Sequence, residues 1–243
     1  MSGIPGFAVP MFIIVVAIVF VFIIFGVVLI YKFPKKINRS WDYVIGLFIL
    51  GSYSFVFLET LSNSNFNNHF TQLHLPWYNF IGFLLIIGSI AIMLPRRFKI
   101  RQYLLALIVL MSTGFMYGMV DNIIDYINSY KTYFCEKSFW YIFSQAVLII
   151  YSLYSIRSGD TKVNFKTILF SIVFMLSLYG ISLVVNLNSS LSIFGVGKYF
   201  INLIKYTDTL SCIFDFLSIL IFIITSYLLF IFPFKKYNQK EPV

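Results

Sequence analysis

Residues 73–94 read LHLPWYNFIGFLLIIGSIAIML. The stretch is uncharged apart from its histidine, and it is long enough to cross a bilayer, which takes about 20 apolar residues. It opens with His74, one of two histidines in the chain, and with Pro76 inside the first turn, where proline's missing N–H is tolerated. His74, Tyr78, Gly82 and Ser89 recur at helical spacing on one face, and that face is expected to turn toward other helices.

Six further apolar runs surround this one. The spans are read at 8–31, 41–61, 73–94, 102–120, 138–156, 167–187 and 209–234. The expected fold is therefore all-α: a polytopic bundle of seven transmembrane helices forming one domain over residues 1–243. Composition agrees: 60% of residues are hydrophobic and 11% charged, against roughly 25% charged in a soluble domain. The first run has no basic start and is longer than a signal-peptide core, so it is read as a retained helix. The segment GVGKYFINLIKY at 195–206 is read as a short amphipathic helix on the membrane surface.

Orientation follows from the loops KFPKKINR (32–39), PRRFKIR (95–101) and RSGDTKVNFK (157–166) and the tail KKYNQKEPV. They hold 14 of the 18 Lys and Arg, leaving Lys131, Lys137, Lys198 and Lys205 for the other side. Positive loops stay cytoplasmic, which places the N-terminus outside, the C-terminus inside and the chain in the cell membrane. A net charge of +9 spread over such loops points to topology and anionic lipid headgroups, not to nucleic acid. There is no CxxC and no HExxH, so neither metal nor cofactor is expected. Cys135 and Cys212 both fall on or near the outer side, where a disulfide is permitted but not specified.

With that topology, polar residues collect near the outer ends of the helices. They are Glu59 in span two, His74 and Tyr78 in span three, Asp121 and Asn122 closing span four, Gln145 a third of the way into span five, Asn186 in span six and Asp215 in span seven. Ionisable groups in membrane helices usually face the bundle interior or a water-filled cavity. These eight are the candidate ligand-binding residues. A blander reading stands beside each: Asp121 and Asp215 fit headgroup positions, His74 an interfacial hydrogen bond, and Gln145 helix-to-helix glue. Gly114 and Gly118 form a GxxxG pair that would let another helix approach, and Asp121 and Asp125 continue their stripe.

The phrase LHLPWYN, the acidic end of span two (FLETL), FWYIFSQAVLIIYSLY in span five and the Asn-bearing VVNLN in span six together resemble the YwaF-like bacterial integral membrane proteins. The resemblance implies seven helices and similarity to eukaryotic membrane proteins with acyltransferase or hydrolase activity toward lipids. His74 matches the family histidine. Where many members carry a cysteine two residues later this chain has Pro76, and where many carry a histidine in span five it has Ser144 and Gln145. A thiol nucleophile paired with a histidine base is not available at those positions.

The leading expectation is thus a multi-pass protein whose polar outer cavity binds or transports a small solute or a lipid. An embedded lipid acyltransferase or hydrolase, active or not, with His74 as base and Glu59 orienting it, is the alternative. A structural subunit that docks through Gly114 and Gly118 is the third. Transporters usually show broken helices or internal repeats, and no repeat is legible here.

Overall fold

The structure is a computed structural model. It describes residues 38–62, 80–119, 136–188 and 209–234, with isolated positions between 17 and 30. The described residues are helical with no strand. Helix α1 is Arg39–Ser62, α2 Phe80–Met93, α3 Lys99–Leu110, α4 Ser112–Met119, α5 Glu136–Arg157, α6 Phe165–Asn188 and α7 Thr209–Ser226. A π-helical turn, Tyr227–Ile231, continues α7. The described positions 17, 21, 23, 24, 26, 28 and 30 are also helical.

Local chemistry explains the ends. Asn164 caps α6 reciprocally: its side-chain oxygen accepts from the Thr167 N–H at 3.0 Å, while the Thr167 hydroxyl accepts from the Asn164 N–H at 2.9 Å. That exchange fills two orphan donors of a helix start. Gly159, at φ 77°, stops α5, a backbone position that a residue with a Cβ enters at a cost. Pro95 opens a turn in which the Phe98 N–H donates to the Pro95 carbonyl at 3.0 Å, and this turn carries Arg96 and Arg97 between α2 and α3.

Span four is not one helix. It breaks at Met111, and α3 and α4 diverge by 48°. Met111 has φ −100° and ψ 6°, and its N–H is shared between the Leu107 and Ile108 carbonyls. The Thr113 N–H leaves the helical ladder and donates to the Ser226 hydroxyl at 3.0 Å. The Thr113 hydroxyl meets those of Thr225 and Ser226 at 3.0 and 2.8 Å and donates to the Phe222 carbonyl at 2.9 Å. A side chain inserted into the ladder is an ordinary cause of a kink. Here the insert comes from α7, just before that helix widens into its π turn.

Helices α3 and α5 form the centre. Residues 105–111 are buried on every side, as expected for a helix surrounded by others. Helix α3 touches α2, α5, α6 and α7, while α5 touches α1, α2 and α3. Small residues permit the close crossings: a Cβ on Gly46 of α1 would stand 3.0 Å from the Ser89 carbonyl oxygen of α2. Exposed apolar stripes run along the outside, with Val44, Leu47, Phe55 and Leu58 on α1, Phe165, Leu169, Val173 and Ile181 on α6, and Ile213, Leu217, Ile221, Ile224 and Leu228 along and beyond α7. Among the described residues no single helix is long and apolar enough to cross a membrane; Lys99–Leu110 and Ser112–Met119 meet that test together, by length and composition.

Candidate functional site

Most buried hydroxyls in this core donate to their own helix. On α5, Ser144 donates to the Tyr141 carbonyl at 2.8 Å, Ser152 to Leu148 at 2.7 Å and Ser155 to Ser152 at 2.7 Å. Ser89 of α2 and Ser171 of α6 do the same to Ile86 and Thr167. A short hydroxyl side chain reaches the carbonyl three or four residues back, so burial leaves it satisfied.

Gln145 differs from these serines. It is fully buried on α5, and neither its amide nitrogen nor its amide oxygen has a hydrogen-bond partner among the described residues. A primary amide offers two donors and one oxygen acceptor. Leaving such groups dry costs about 1 to 3 kcal/mol each. Its oxygen stands 3.9 Å from where a Cβ on Gly118 of α4 would lie, and that same Cβ would collide with the Ile81 side chain of α2. One turn back along α5, Tyr141 is fully buried, with its ring centroid 6.1 Å from that of Tyr53 on α1. The Tyr53 hydroxyl lies against Gly82 of α2, 2.6 Å from a Cβ built there. Four helices thus converge on a polar niche, where Gly118 and Gly82 admit the close approach of Ile81 and Tyr53.

Of the expected site residues, Gln145 is the one whose side chain is described, and it makes no hydrogen bond to another helix among the described residues. Glu59, Asn186 and Asp215 fall on α1, α6 and α7, but their side chains lie outside the described residues, as do His74, Tyr78, Asp121 and Asn122 altogether. The expected inward face of span three holds at Gly82 and Ser89, which are both buried. Gly114 and Gly118 approach this chain's own Phe222 and Ile81. No group of three or more metal-ligating side chains occurs among the described residues.

A second polar assembly occupies the basic end, and sequence reasoning passed over it. Asp42, fully buried on the first turn of α1, accepts from the Tyr151 hydroxyl at 2.8 Å and from Arg96 Nε and Nη2 at 3.1 and 3.2 Å. Arg101 Nη2 donates to the Tyr151 oxygen at 2.9 Å and stands 3.7 Å from Asp42 Oδ2. Arg96 also pairs with Asp160, at 3.4 Å. Burial works against the Arg96 charge, but Asp160 and Asp42 outweigh it and hold the guanidinium above its ordinary range. Nearby, Arg39 donates to the Met93 carbonyl at 2.8 Å and to the Tyr43 hydroxyl at 3.1 Å, with its guanidinium over the Tyr43 ring. Arg101 therefore does not belong to the exposed positive loop: it is a residue of α3, sealed from solvent. The available signal was Asp42 itself, a lone carboxylate at the basic end of a span.

Compared with known protein families, curated proteins and solved structures, the chain matches none. The resemblance to the YwaF-like proteins rests on its short phrases.

Proposed function

We propose that this chain is a multi-pass protein of the cell membrane, with seven spans, its N-terminus outside and its C-terminus cytoplasmic, and that its interior binds or transports a small polar solute or lipid headgroup at Gln145. The observation that carries the ligand is the buried amide of Gln145, which has no hydrogen-bond partner among the described residues. An acceptor and two donors held dry among four helices are complementary to a neutral or zwitterionic group that both gives and takes hydrogen bonds.

The membrane reading is supported by an inverted distribution of polarity. Large apolar side chains are exposed on α1, α6 and α7, while Asp42, Arg101, Gln145 and a row of serines are buried. Exposed apolar surface on this scale marks contact with lipid or with another protein, and interior ionisable groups are the usual arrangement in membrane bundles. The break at Met111, between α3 and α4, adds support for a transport-type reading, because transporter sites are built at discontinuous helices. Gly118, beside Gln145, lies on the half-helix that follows the break.

The test is native mass spectrometry of the full chain released gently from membranes, beside Gln145→Leu. A small species retained by the original chain and lost from the variant is the expected result. An identical spectrum from two equally folded proteins would remove Gln145 from the site. A reporter fused after Val243 should read cytoplasmic; a reading on the other side would reverse the topology.

A further inference from the structure

Arg101 carries five N–H donors and no acceptor, and none of its surface reaches solvent. Only Nη2 is engaged, by the Tyr151 hydroxyl and by the charge of Asp42. Nε and Nη1 have no hydrogen-bond partner among the described residues. Asp42 is committed elsewhere: both its oxygens accept from Arg96, one of them also from Tyr151, and it approaches Arg101 only at Nη2, 3.7 Å away. Asp160 is drawn to Arg96.

The Thr161 hydroxyl is also fully buried and has no hydrogen-bond partner among the described residues. Its backbone N–H donates to the Ser155 carbonyl at 2.9 Å. That bond folds the turn after α5 back over the helix, one turn beyond Tyr151. Among the described residues the unfilled groups here thus include the Arg101 Nε and Nη1 donors and the Thr161 hydroxyl, which can also donate, beside Asp160 Oδ2, which faces Arg96. The field has the same sign: residues 39–42, 96–101 and 157–166 hold eight Lys and Arg against two Asp. The start of α3 has no side-chain cap, so the positive end of its dipole is free to add to that field.

Donors lacking acceptors, in a positive field, call for a ligand that is all acceptor and negatively charged. We propose that Arg101, with Thr161, forms an internal binding site for a phosphate-type oxyanion at the basic end of the bundle, entered past Arg96. Arg96 suits an entrance: it sits in the turn between α2 and α3, and its side chain is 27% exposed whereas those of Asp42 and Arg101 are at 0%. The oxygens are the same whether they come from inorganic phosphate or from the phosphodiester of an anionic phospholipid. This site is separate from the niche at Gln145 and does not depend on it.

Calorimetric titration of the full chain in detergent with inorganic phosphate tests the first source. Retention of phosphatidylglycerol by the chain in nanodiscs, read by native mass spectrometry, tests the second. Arg101→Lys keeps the charge but loses the planar donor set, and Thr161→Val removes one hydroxyl at nearly constant shape. Binding by either probe, weakened about tenfold or more in Arg101→Lys, as the loss of a charge-assisted hydrogen bond predicts, and measurably in Thr161→Val, supports the site and identifies the source by which probe binds. If neither probe binds the original chain, or if folded Thr161→Val binds as tightly as the original, the proposal is overturned. Thr161→Val decides alone if Arg101→Lys does not fold.

Discussion

Asp42 and Gln145 are equally sealed from solvent, and both face α5 or lie on it, yet the fold treats them in opposite ways. Asp42 receives Arg96 twice, Tyr151 once and the charge of Arg101. Gln145 receives no hydrogen bond from the described residues. Tyr151 and Gln145 are six residues apart on α5, about 9 Å along the axis, so the difference does not come from two remote environments. It comes from charge. A buried carboxylate without partners costs several kcal/mol, so a fold that keeps one must surround it. A buried amide costs less and can be left open for a ligand.

That contrast can be broken from either side, and the largest effect is expected at Asp42. Asp42→Ala leaves Arg96 and Arg101 facing each other without their shared carboxylate, and should lower unfolding stability by about 3 to 5 kcal/mol, read from denaturant or thermal melts in detergent. A loss below about 1 kcal/mol would mean that the cluster is relaxed or hydrated, and the contrast with Gln145 would fall. Tyr151→Phe removes one hydroxyl that both accepts from Arg101 and donates to Asp42. It should cost about 1.5 to 3 kcal/mol, as bonds to charged groups do.

At the other end of the contrast, Gly118→Val drives methyl groups into the Ile81 side chain and toward the Gln145 amide. Overpacking of this kind costs about 1 to 3 kcal/mol, and it should also displace any species held at Gln145. The smallest stability effect belongs to Gln145→Leu. It removes the unfilled polar atoms at similar volume, so the melt should move by less than about 1.5 kcal/mol in either direction. A large loss there would show that Gln145 has structural partners after all.

Much of the fold was legible because hydrophobic length is a one-dimensional property. The run at 138–156 appears as Glu136–Arg157, that at 167–187 as Phe165–Asn188, and that at 41–61 as Arg39–Ser62. The break at Met111 was not legible. Residues 102–120 contain no proline, and the kink is held by Thr225 and Ser226, more than a hundred residues away. The interior role of Gln145 was visible as a polar residue in an apolar run, but its lack of partners was not. That depends on Gly118 and Ile81, which arrive from other helices.

The basic end shows the same division most clearly. Counting Lys and Arg gives an orientation because membrane insertion responds to the number of charges in short loops, and for that purpose Arg96, Arg97, Lys99 and Arg101 are alike. Folding separates them. Arg97 and Lys99 stay exposed, Arg96 bridges two carboxylates, and Arg101 goes inside against Tyr151. Sequence alone determined the helices, their order and the expected sidedness, since these follow from composition over windows of about twenty residues. Only the tertiary structure decided which polar groups are satisfied and which are left open, because a hydrogen bond is made or lost over a few tenths of an ångström between residues far apart in the chain.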